Sequence, residues 1–137
     1  MVKILAGEKG EGKTKKMIDM ANAAVKEAKG SIVYVDDDNS HMLDLHHNVR
    51  FVETPAFIME DSMRFRAFAC GILSQNSDIE TVYVDGLNKI VGSMSDAEFV
   101  SFVQELDKTS KEAEMDFVMV VSGAADALPA EVKQYLI

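Results

Sequence analysis

Eight consecutive residues, Gly7-Glu8-Lys9-Gly10-Glu11-Gly12-Lys13-Thr14, carry the spacing G-x-x-x-x-G-K-[ST]. A triphosphate chain needs many hydrogen-bond donors and little steric bulk. Glycines let a loop wrap until successive backbone N–H groups point inward, and a helix N-terminus behind the loop adds a partial positive charge. In such a loop Lys13 reaches the β- and γ-phosphates and the Thr14 hydroxyl ligates Mg²⁺. With glycine at about 7% of residues, four fixed positions coincide by accident in roughly one chain of this length in a few hundred. An apolar strand at 2–6 precedes the loop and an amphipathic helix follows it. That context argues against an incidental glycine-rich turn. The predicted nucleotide contacts run from Gly7 through Thr14 to Lys15.

A second set of polar residues falls at the ends of later apolar runs. Asp36, Asp37 and Asp38 close the run 31–35. Three adjacent carboxylates repel one another, and a nearby Mg²⁺ would relieve that repulsion. At least one of them is therefore a candidate for binding the metal, Asp36 among them, or for positioning water; the competing reading is a solvated strand-end loop. Asp85 closes the run 81–84 and is a candidate metal residue, while Ser122 follows the run 117–121. Lys9 is either an extra phosphate contact or a solvent-facing side chain. His41, His46 and His47 match no compact metal spacing and read as surface or loop residues. The methionines, nine in all, read as core gap-fillers.

Composition narrows the function classes. The chain has 137 residues, 47% of them hydrophobic and 27% charged, enough for one domain with a sizeable core. No apolar run approaches the ~20 residues that span a membrane, and the chain opens directly into the nucleotide motif, so no cleaved leader is expected. Cys70 is the single cysteine, which excludes an internal disulfide and fits a reducing cytoplasm. The formal net charge is −9, from 23 acidic and 14 basic residues. The one dense basic group, Lys9, Lys13, Lys15 and Lys16, belongs to the nucleotide loop or its first helical turn. Autonomous nucleic-acid binding is not expected.

The elements that must hold these residues alternate in type. A helix is predicted over 14–29, with Met17, Ala21, Ala24, Val25 and Ala28 on its apolar face and Gly30 as a left-handed stop. A buried strand covers 31–35, a loop with a short helical turn 39–47, and a brief edge strand 49–52. Thr54-Pro55 signals a helix reaching 74, burying Ile58, Met59, Phe65, Phe68 and Ile72, with Asp61-Ser62 as an alternative start. A strand follows at 81–85. Ser95-Asp96-Ala97-Glu98 is a capping box opening a helix with Phe99, Phe102, Val103 and Leu106 on one face. A last strand covers 117–121, and Leu128-Pro129 starts a short terminal helix. This alternation predicts a three-layer α/β fold around a mostly parallel sheet of four to five strands. Ligands in such sheets lie beyond the C-terminal strand ends, where the loop, Asp36 to Asp38, Asp85 and Ser122 all fall.

With these residues in place the chain resembles a P-loop NTPase. Val82-Tyr83-Val84-Asp85 resembles a Walker B strand, whose aspartate organises Mg²⁺. The separate strand after it, tipped by Ser122, resembles the sensor strand of the RecA-like branch. In the RecA core a glutamate after the second strand activates water, and Val35-Asp36-Asp37-Asp38-Asn39-Ser40-His41 occupies that place. The resemblance implies that Asp38, or else Asp37, does this here, and that Ser122 contacts the γ-phosphate or the attacking water. A related pattern puts glutamate directly after the Walker B aspartate; this chain has Gly86. RecA's DNA-binding loops and a fifth strand have no counterpart. The chain is also similar to small stand-alone P-loop ATP-binding proteins.

The expectation is Mg²⁺-dependent binding of ATP or GTP with slow hydrolysis. RecA-like assemblies supply a cation from a neighbouring subunit, so a homo-oligomer or protein partner would complete the site, with Arg50, Arg64 and Arg66 as the available arginines. The alternatives are a non-hydrolysing switch or complex subunit, and a small-molecule kinase.

Overall fold

The computed structural model describes residues 1–54 and 61–137. Five strands, β1 (Val2–Gly7), β2 (Ser31–Asp36), β3 (Arg50–Glu53), β4 (Ile79–Val84) and β5 (Asp116–Ser122), form one sheet in the order β1-β5-β4-β2-β3. Every pairing is parallel. Parallel strands need crossovers, and the right-handed βαβ preference lets helices cover both faces. The helices are α1 (Lys13–Glu27), α2 (Ser62–Gln75), α3 (Leu87–Val91) and α4 (Asp96–Glu112). The predicted three-layer α/β fold is thus the observed one, and the edge strand expected at 49–52 is found at Arg50–Glu53.

Side-chain alternation divides the core in two. Met17, Ile18 and Ala21 of α1 pack with Leu5, Ile32, Tyr34, Tyr83, Val118 and Val120 on one face. On the other, Phe65 of α2, α3 and Phe99, Phe102, Val103 and Leu106 of α4 pack on Ile4, Val35, Val84, Phe117 and Met119. Because both faces are covered, β2 and β5 are almost wholly buried along their length, which is why they read as continuous apolar runs. Among the described residues no helix is long and apolar enough to cross a membrane.

Several boundaries differ from the sequence expectation. The first helix ends at Glu27, and Ala28 is extended; Gly30 does not have a positive φ. Gly30 is small for a different reason, because a Cβ there would collide with the Asp78 carbonyl oxygen. Of the two starts expected for the second helix, Asp61-Ser62 is the observed one: α2 begins at Ser62, with Asp61 as N-cap accepting the Arg64 N–H at 2.8 Å. The placement of Ile58 and Met59 lies outside the described residues. At Ser95 the hydroxyl accepts the Glu98 N–H at 3.2 Å and also lies 3.1 Å from the Glu98 carboxylate. The terminal helix is a 3-10 turn, Ala130–Tyr135. Beyond it Leu136 bridges Ile4 in parallel and the Ile137 N–H donates to the Ile4 carbonyl at 3.0 Å. The outer side of β1 is therefore partly covered where no further strand was expected.

Candidate nucleotide site

Parity along the strands brings the polar residues together. Gly7, Asp36 and Ser122 end their strands and Asp85 follows directly on β4. Each is two residues beyond a side chain packed against α1: Leu5, Tyr34, Val120 and Tyr83 respectively. Residues two apart share a face. All four thus sit at the C-terminal edge on the side of α1, whose N-terminus opens there. Gly7 pairs with Ser122, and Val84 pairs with both Val35 and Met119. A cavity of about 510 Å³ lies over this edge.

The loop from Gly7 to Thr14 forms one wall. Gly10 and Gly12 have φ of 91° and 78°, the left-handed region that side chains disfavour, which fixes glycine at both positions. Gly12 is also the N-cap of α1. No side chain caps this helix, and no acidic residue lies in its first turn. Its leading N–H groups and positive dipole end are thereby left to a ligand. Lys13 is folded inward and donates to the Gly7 carbonyl and, at 3.3 Å, to that of Glu8. The Glu11 carboxylate lies over Gly7 and accepts the Glu8 N–H at 3.1 Å. Lys9, Gly10, Gly12, Lys13 and Thr14 line the cavity; Gly7, Glu8, Glu11 and Lys15 do not. Lys15 instead pairs with Asp19 at 3.0 Å on the exposed side of α1.

Carboxylates form the opposite wall. Asp36 and Asp85 lie side by side on neighbouring strands and are 4% and 6% exposed. Asp85 accepts the Tyr34 hydroxyl at 3.2 Å and the Gly86 N–H at 2.8 Å, and its own N–H donates to the Val35 carbonyl at 2.8 Å. Asp36 accepts the Asp37 N–H at 2.7 Å, and its carbonyl accepts the Thr54 hydroxyl at 3.2 Å. Burial pushes the Asp36 carboxyl up to about 7, helped by a side-chain hydrogen bond with the Asp37 carboxyl and the neighbouring Asp85 charge, while the Asp37 N–H works against the rise. Burial, with the charges of Asp85 and Asp36, holds the Tyr34 phenol far above its usual range. Among the described residues no ion pair reaches Asp36 or Asp85, so the pair is a concentration of buried negative charge that a cation would relieve.

Among the described residues no three His, Cys, Asp or Glu side chains form a closed metal cage. Mg²⁺ does not need one: it keeps several waters and takes one or two carboxylates plus substrate phosphates. Asp36, Asp85 and the Thr14 hydroxyl around one cavity are a donor set of that kind.

Asp37 and Asp38 differ in placement. Asp38 is exposed, and its Oδ1 accepts both the Ser40 N–H at 2.9 Å and the Ser40 hydroxyl at 2.5 Å. Those bonds hold its carboxyl below the usual carboxylate range. Asp37 is half-buried, and its Oδ1 fills the space that a Cβ on Gly86 would need. The glycine after Asp85 therefore makes room for Asp37. The cavity is also lined by Ser40, His41, Asn88 and Lys89, which sequence reasoning left out of the site. His41 approaches Asp44 at 3.2 Å, whereas His46 and His47 stack on each other with ring centres 4.2 Å apart. Lys89 stands 3.6 Å from Asp37. Only adjacency in the folded sheet reveals these four.

No family model and no curated protein matches this chain. A functional reading therefore rests on the geometry of the site.

Proposed function

We propose that the protein binds a nucleoside triphosphate with Mg²⁺ and hydrolyses it slowly, as a RecA-like P-loop NTPase. The observation that carries this reading is the convergence, around one cavity, of a left-handed glycine loop, an uncapped helix N-terminus and a buried pair of aspartates. An anion of high charge suits the first two, and a cation suits the third. A Mg²⁺-triphosphate offers both charges in one ligand.

In this reading the loop amides and Lys13 hold the β- and γ-phosphates. Lys13 exchanges its carbonyl acceptors for phosphate oxygens, and Glu11 gives up the Glu8 N–H. Asp85, Asp36 and Thr14 hold the metal, which neutralises phosphate charge when bound. Ser122, at the tip of β5 beside Gly7, contacts the γ-phosphate. For the carboxylate that positions water the geometry favours Asp37 over Asp38: both line the cavity, but Asp37 packs against Gly86 beside Asp85, whereas Asp38 is exposed and taken up by Ser40. Phosphoryl transfer needs mostly positioning and electrostatics, so a bare domain can turn over slowly.

A second reading, a switch that binds without turnover, draws support from the Glu11 and Lys13 contacts that close the loop on itself. Neither observation favours a kinase, since no arginine lines the cavity among the described residues.

The test is calorimetric binding of ATP and GTP with and without Mg²⁺, in the wild type and in Asp85→Asn. Removing one charge from a metal shell costs about 10–100-fold in metal affinity. The Mg²⁺-dependent gain in nucleotide affinity should shrink by that order, with metal-free affinity preserved or slightly raised. Equal losses with and without Mg²⁺ would return Asp85 to a purely structural role.

A further inference from the structure

The geometry points to Lys89 as a catalytic cation supplied by this chain itself, contacting the transferred phosphoryl group; the inference rests on the nucleotide reading above. Lys89 lies on α3, which begins directly after Asp85-Gly86. The left-handed Gly86 turn, φ 67°, redirects the chain so that α3 starts over the sheet edge, and the Lys89 N–H donates to the Gly86 carbonyl at 2.9 Å. Lys89 is thereby held over the same cavity as Lys13 and Thr14. Its ammonium lies 3.6 Å from Asp37 while the side chain is 73% exposed, so it is anchored at one end and free to turn.

Charge balance gives this residue its role. Four carboxylates, Asp36, Asp37, Asp38 and Asp85, line the cavity together with the ammonium groups of Lys9, Lys13 and Lys89. A triphosphate adds further negative charge on the side of the carboxylates. Lys13 is bound within the loop wall, and the three arginines are elsewhere: Arg66 pairs with Glu105, Arg64 lies 3.9 Å from Asp61, and Arg50 borders a groove with Phe68 and Ile72. Lys89 is the cation on the wall that carries the water-positioning carboxylate. An ammonium there meets the charge that spreads over the equatorial oxygens as phosphoryl transfer proceeds.

A water oxygen forms a bond to the γ-phosphorus while the bond from that phosphorus to the β,γ-bridging oxygen breaks. The electron pair stays on the bridging oxygen of the nucleoside diphosphate. One proton of the water passes to the Asp37 carboxylate and from there to solvent. Lys89 leaves Asp37 as the γ-phosphoryl group enters, which frees that carboxylate for the water and places the ammonium on the phosphoryl oxygens. No neighbouring subunit is then required to supply a cation.

The experiment compares wild type, Lys89→Gln and Lys89→Arg for single-turnover ATP hydrolysis and for binding of Mg²⁺-ADP with and without aluminium fluoride, which mimics the transferring phosphoryl group. Lys89→Gln should slow turnover and weaken the aluminium fluoride complex roughly 10²-fold, the order lost with one charge-stabilising donor. ADP alone should bind within about threefold of wild type, and Lys89→Arg should restore most of the loss. Equal affinity of wild type and Lys89→Gln for the aluminium fluoride complex would overturn the inference while leaving the nucleotide site intact. So would a wild type that binds ADP but gains nothing from aluminium fluoride. A wild type that binds no nucleotide would remove both readings.

Discussion

At the scale of single residues the site is a contest between carboxylates. Asp37 and Asp38 are neighbours in sequence, yet β2 delivers one toward Gly86 and releases the other into a turn closed by Ser40. Asn has nearly the shape of Asp but cannot take a proton from water. In Asp37→Asn, turnover should fall by roughly 10²–10⁴, the usual contribution of a positioned acid or base, with ATP affinity changed little. Asp38→Asn should lose much less. Single-turnover hydrolysis measures both, and the reverse ranking would restore the assignment that the RecA resemblance implies. Sequence order alone could not separate these two, because both carboxylates line the cavity and only the fold sets one against Gly86 and ties the other to Ser40.

At the scale of elements, the strands and helices were largely legible, because a parallel sheet covered on both faces demands long apolar runs separated by amphipathic helices. The glycine loop was legible for the same local reason: positive φ at Gly10 and Gly12 leaves a mark in the sequence. Contacts across the fold leave none. Gly30 looked like a helix stop, yet its small size serves the passage of the chain beside Asp78, whose carbonyl accepts the Ser31 N–H at 2.9 Å. Gly30→Ala should therefore destabilise by about 1–3 kcal/mol, as overpacking does, and lower the melting temperature. An unchanged melting temperature would mean that β2 and the turn before β4 can part without cost. Lys89 leaves no mark in the sequence, and His41 reads there as a surface or loop residue, for a related reason: each reaches the cavity only after α3 and the 40s turn have been folded over the sheet edge.

At the scale of the whole molecule, charged residues stitch distant parts of the chain to β1. Asp107 of α4 accepts the Val2 N–H at 3.0 Å and pairs with Lys111 at 2.8 Å, while Asp116 of β5 pairs with Lys3 at 2.9 Å and the N-terminal ammonium at 3.1 Å. Burial raises both carboxyls, but the Lys111 and Val2 bonds to Asp107, and the Lys3 and N-terminal bonds to Asp116, together hold each below its ordinary value. A carboxylate lowered in the folded state stabilises fully above its unfolded value, near 4, and loses that contribution as pH falls through the folded value. Thermal melts should therefore show stability falling below about pH 4, with Asp107→Asn flattening that limb; an identical acid limb in the variant would contradict the network. The site itself is tested most directly by Lys13→Ala, titrated calorimetrically with Mg²⁺-ATP beside the wild type. Each charge-assisted hydrogen bond lost is worth about 1.5–3 kcal/mol. The expected result is binding in the wild type, a drop of roughly 10- to 100-fold or more in the variant, and an unaltered circular dichroism spectrum. Undiminished affinity in Lys13→Ala, or no binding in the wild type, would contradict the assignment of the Gly7–Thr14 loop as a triphosphate site.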